Sequence, residues 1–113
     1  MTHNALVRFV AGKVGGTVVG DAISLGGLDA CGQLLLHDLT SPELFLKGLE
    51  VLPDYISWDI DGDKSEQYVN LVDLRKGDTN VGRFWKTPEE IPLKFWEAYF
   101  ELEEGAGVME ETP

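Results

Sequence analysis

The chain has 113 residues, 43% of them apolar, with 20 acids against 9 bases, two histidines and one cysteine. That size and composition fit one domain with an ordinary hydrophobic core and exclude a disordered chain. The net charge of −11 argues against a nucleic-acid or anionic-membrane binder, since both need a basic face.

The charge is unevenly spread. Residues 1–53 carry five acids and three bases; residues 54–113 carry fifteen acids and six bases. The longest aliphatic run, Leu34-Leu35-Leu36, is too short to span a bilayer. No basic segment followed by a long apolar one opens the chain, so no signal peptide is expected. A lone Cys31 forms no internal disulfide and suits a reducing, cytoplasmic setting. It is expected as a small buried side chain rather than a nucleophile.

Ala5–Ala11 sets Val7 and Phe9 against Arg8 and predicts a strand. Gly12-Lys13-Val14-Gly15-Gly16 reads as a turn and Thr17–Ser24 as a second strand, completing a hairpin. Seven of the thirteen glycines lie between Gly12 and Gly32. A phosphate-cradling loop would need Gly-Lys-Ser/Thr together, opening a helix. Here a β-branched run follows, so turns and strand irregularities account for the glycines. Gln33–Asp38 predicts a third strand. His37 and Asp38 are neighbours on it and point to opposite faces, which does not build an acid–base relay.

Thr40-Ser41-Pro42-Glu43 announces a helix, with a hydroxyl cap, Pro in the first turn and Glu three after Thr. Leu44, Phe45, Leu49 and Leu52 share a face, and Pro53 ends it. Asp54–Ile60 alternates, placing Ile56, Trp58 and Ile60 inward. A turn at Asp61-Gly62 returns the chain through Glu66–Leu74. Tyr68 and Val72 give that returning strand a second apolar face, which predicts a central position with a helix over it.

Asp59, Asp61 and Asp63 match the first three ligand positions of an EF-hand loop. The match then fails, with Lys64 where Gly is required and Asn70 where the closing Glu belongs. A solvated acidic hairpin tip is the better reading, and no metal or cofactor is expected. Lys76–Gly82 reads as a loop and Arg83–Lys86 as its end or a short edge strand, its bases paired with nearby acids.

Residues 83–104 hold six of the eleven aromatics. Thr87-Pro88-Glu89-Glu90 is a second capping box. Ile91 should avoid the helical region before Pro92, so one turn at 88–90 precedes a main helix from about Pro92 to Glu104, stopped by Gly105. On a helical wheel Lys94, Glu97, Glu101 and Glu104 fill an arc of about 80°. The remaining apolar arc is about twice what one-sided packing needs, so the helix is wedged between two surfaces. Trp96 and Phe100 are expected buried, Phe95 and Leu102 partly exposed.

These elements predict an α+β fold: a mostly antiparallel, twisted sheet of five to six strands, a short middle helix, and the C-terminal helix packed on the sheet. A small open β-barrel is the alternative. Residues 1–104 form one domain and 105–113 an acidic flexible tail. With two histidines, one cysteine and no ligand spacing, catalytic residues are not expected. Paired carboxylates could hydrolyse glycosides, but a chain this short leaves little room for a sugar cleft.

The expected function is a small acidic protein-binding module. Its sharpest form is a stoichiometric inhibitor covering a partner's basic, nucleic-acid-binding surface, as immunity proteins or phage anti-defence proteins do. Acids two apart on a strand repeat at about 6.7 Å, and acids four apart on a helix at about 6 Å, near the spacing of successive phosphates. The expected binding residues are Asp59, Asp61, Asp63, Glu66, Phe95, Glu97, Glu101 and Glu104. An accessory subunit docking through the aromatic helix is the alternative, with self-association as a homodimer open.

Overall fold

The computed structural model describes residues 3–62, 67–77 and 79–104, without the side chains of 61 and 62. It is α+β, with six strands in two separate three-stranded antiparallel sheets rather than one.

The first correction is at the start. Residues expected as a strand form helix α1, His3–Val14. Leu6, Val7, Val10, Ala11 and Val14 recur at helical spacing and all are buried; this longer period outweighs the Val7/Phe9 alternation. Gly15, at φ 71°, closes the helix in the left-handed conformation, and the Gly16 N–H donates to the Ala11 carbonyl at 2.9 Å. That is a Schellman stop.

The expected Thr17–Ser24 strand is instead a hairpin. Strands β1 (Thr17–Val19) and β2 (Ala22–Leu28) pair across a turn at Gly20 and Asp21. Strand β3 (Leu34–His37) pairs with β2 through a shift in register between Ser24 and Leu28. Helix α2 (Pro42–Val51) starts one residue later than expected: Ser41, not Thr40, is its cap.

The second sheet runs β4 (Ile56–Gly62), β5 (Gln67–Asp73) and β6 (Thr79–Phe84), with β5 central. Residues 79–82, expected as loop, belong to β6. A 3-10 turn at Leu74–Lys76 links β5 to β6. Asp73 begins that turn, accepting from the Arg75 N–H at 2.9 Å and pairing with the Arg75 guanidinium at 3.2 Å.

A second 3-10 turn, Pro88–Glu90, leads into helix α3, Ile91–Glu104. The Glu90 carboxylate accepts from the Thr87 N–H at 2.9 Å. Ile91 adopts helical angles despite Pro92; proline is tolerated here because a first-turn N–H needs no partner.

Helix α3 is wedged as its wide apolar arc demands. One side lies on β5 and β6; the other meets α1 and α2. Val69 and Leu71 of β5 are fully buried beneath it. Phe95 meets Phe45 of α2 edge-on at 5.1 Å, and Phe9 of α1 meets Tyr99 at 5.2 Å. Helices α2 and α3 approach closely at Gly48, where a Cβ would sit 2.5 Å from the Trp96 ring. The three helices pack on one another, with the second sheet against α3 and the first against α1.

Candidate interaction surfaces

The expected binding residues do not converge. Phe95, expected partly exposed, is 0% exposed, and Leu102 is buried as well. The correction has a physical cause: α2 fills the side of α3 that a wheel leaves unassigned. Glu101 lies 3.2 Å from Arg83 and Glu97 lies 3.4 Å from Lys94, so both carboxylates are engaged within the chain. Glu104 and Asp59 are exposed. Asp63 and Glu66 lie outside the described residues, and Asp61 is known by its backbone, opposite Tyr68 in the ladder. Asp59 stands opposite Asn70, whose neighbours Val69 and Leu71 face α3. Asp59 is thus on the far side of the sheet from the helix acids.

His37 is not part of a relay. Ser41 donates its one hydroxyl proton to Glu43 at 2.9 Å and accepts from the Leu44 N–H at 3.4 Å. His37 Nδ1, 3.1 Å away, must then donate to Ser41 Oγ. A nucleophilic serine would need the opposite polarity. The cluster caps α2. Its own backbone N–H and the Ser41 hydroxyl hold the Glu43 carboxyl below the usual range. Asp38 turns away to Thr40, whose hydroxyl and N–H lower its pKa.

Cys31, expected buried, is exposed at the tip of the β2–β3 loop. The loop is held by Asp29 Oδ1, which accepts from the N–H groups of Cys31 and Gln33 at 2.9 and 3.0 Å.

The sequence reading missed two surfaces. The first is the β1–β2–β3 sheet. Helix α1 covers only its base, where Ile23 and Ser24 are buried. Around and beyond that base Val18, Val19, Leu25, Leu34, Leu35 and Leu36 are exposed, and Leu28, opposite Leu34, is 63% exposed. Three consecutive exposed leucines on β3 mean that neither face of its outer part is covered. Across residues 16–37 there are two acids, Asp21 and Asp29, and no lysine or arginine.

The second is the outer face of the β4–β5–β6 sheet. A helix was expected over it; the face is open. Tyr68, Asn70, Asn80, Gly82 and Phe84 line a concavity of about 230 Å³. The Tyr68 and Phe84 rings are 6.1 Å apart and inclined at 78°. On the inner face, Trp58 and Ile60, expected inward, are each 41% exposed, because β4 is an edge strand and α3 lies over β5 and β6.

Among the described residues, no three His, Cys, Asp or Glu side chains are grouped to hold a metal ion. No helix there is long and apolar enough to cross a membrane. No family model, curated protein or solved structure matches the chain.

Proposed function

We propose that the chain is a small protein-binding module that docks through its β1–β2–β3 sheet onto a partner with a basic surface, in the manner of a stoichiometric inhibitor of a nucleic-acid-binding protein. The observation that carries this reading is the uncovered sheet. Seven large apolar residues stand exposed across its two faces, and so much exposed apolar surface on a small protein marks an interface.

The partner's chemistry follows from charge. The sheet itself carries two acids and no lysine or arginine, Arg8 of α1 sits beside Val18 and Gly20 at its base, and the chain carries −11, so a second copy would bring net like charge to like. A heterologous surface with an apolar centre and a basic rim complements it. Apolar contact supplies affinity, and the acids speed and orient encounter. The accessory-subunit alternative loses its docking element, since the aromatic face of α3 is internal.

The test compares wild type with Leu28→Asn/Leu34→Asn as immobilised bait against host lysate, eluted by a salt gradient. The expected partner is a nucleic-acid-binding protein that elutes with rising salt and is lost by the double variant. The purified chain should block that partner's nucleic-acid binding at equimolar ratio. Sedimentation showing a wild-type homodimer that the double variant abolishes would assign the sheet to self-association and overturn the proposal.

A further inference from the structure

The concavity on the outer face of the second sheet is lined by side chains that point away from the helical core. Phe84 is 64% exposed. Gly82 forms the floor: a Cβ there would meet Asn70 Oδ1 at 3.7 Å and Tyr68 Cδ2 at 3.8 Å, ordinary contacts. Glycine at this position therefore leaves space open without being required by packing. In β-ladder order, the rows run Asp61–Tyr68–Phe84 and Asp59–Asn70–Gly82. Asp59 thus stands on the β4 side of the concavity, and among the described residues no basic side chain lines it.

We propose that this concavity receives the guanidinium of an arginine side chain presented by a protein partner. Its 230 Å³ is below the roughly 300 Å³ at which small-molecule sites begin, and suits one side chain. Two aromatic rings set nearly at right angles offer a planar cation a face to stack on and a wall beside it. A guanidinium has five donors and no acceptor. The amide oxygens of Asn70 and Asn80 accept, and Asp59, opposite Asn70, supplies the opposite charge. An ammonium is a compact, strongly hydrated charge that gains less from a flat ring, and an anionic ligand meets a chain of −11. The proposal is independent of docking through the first sheet, which packs on α1 rather than α3.

The probes are three blocked tripeptides, Gly-X-Gly, with X as arginine, lysine or citrulline, the last a neutral near-isostere of arginine. Each is titrated into isotope-labelled protein and followed by NMR. The arginine peptide should shift the amides of Tyr68, Asn70, Gly82 and Phe84, bind about tenfold more tightly than the lysine peptide, and bind at least that much more tightly than citrulline. Gly82→Val fills the floor with a residue that suits a strand and should abolish the response with the spectrum otherwise native. Asp59→Asn should weaken it several-fold. Equal binding of citrulline, persistence in Gly82→Val, or a lysine response equal to arginine's and spread over all exposed acids would each overturn the assignment. Capture by the first sheet can fail while the peptide binds, and the reverse, so the two proposals stand or fall separately.

Discussion

Phe95 and Gly48 carry the tightest constraint in the core. Both sit where α2 and α3 touch, Phe95 against Phe45 and Gly48 under the Trp96 ring. Truncating a fully buried aromatic costs about 3–5 kcal/mol, a large share of a small domain's total. Phe95→Ala should therefore be as damaging as Trp96→Ala in a denaturant titration, with no change in association. Gly48→Ala is the more diagnostic substitution. Alanine favours helices by about 1 kcal/mol over glycine, so on an open helix face it would stabilise. Here its Cβ would meet the Trp96 ring at 2.5 Å and Phe95 at 2.8 Å. Overpacking costs about 1–3 kcal/mol, so the expected result is a net loss of up to about 2 kcal/mol, read as a lower denaturation midpoint at unchanged slope.

The two sheets differ in what holds them. Strand β5 is paired on both sides and has α3 against one face. Strand β3 is an edge whose leucines are exposed. Amide hydrogen exchange should therefore show Val69 and Leu71 protected to near the global unfolding limit, and Leu34–Leu36 exchanging orders of magnitude faster by local opening. Equal protection would mean that the first sheet is covered in solution.

The same contrast explains what the sequence disclosed. The existence of helix α2, though not its cap residue, and the wedge position of α3 are legible because capping patterns and a wide apolar arc are local signals. The identity of the covering surface was not. Phe95 was read as exposed because its neighbour, Phe45, is fifty residues away in sequence. Helix α1 was hidden because a short apolar run satisfies both periods. The concavity at Gly82 was hidden because Thr79–Gly82 reads as loop, which leaves Tyr68 and Asn70 without a neighbouring strand.

At the scale of the molecule, two buried groups shape how stability depends on pH. Burial pushes the Tyr99 phenol up to about 12, with Glu103 adding to the shift. The unfolded chain gives up this proton near pH 10. The stability it contributes is therefore complete below about pH 10 and is lost as pH rises toward 12. At the acid end, the Arg75 guanidinium holds the Asp73 carboxyl below the usual aspartate range. Its contribution is present above about pH 4 and falls away as pH drops through the depressed folded value. Thermal midpoints against pH should form a plateau with these two shoulders. Tyr99→Phe should remove the alkaline shoulder and Asp73→Asn diminish the acid one.

The contact between α1 and α3 has a consequence for how the protein is made. All strand pairing is between neighbours in sequence, so each sheet can form from its own short stretch as it emerges. The seam joining Phe9 to Tyr99 and Phe100, closed by Lys13 and Glu103 at 3.6 Å, unites the earliest helix with the latest. At about 5–20 residues per second, Phe9 waits about 5–20 seconds on the ribosome before the helix it packs against exists. During that interval the nascent chain presents this apolar segment without its final cover, a ready substrate for chaperones that bind such segments, and a slowed ribosome lengthens the exposure in proportion.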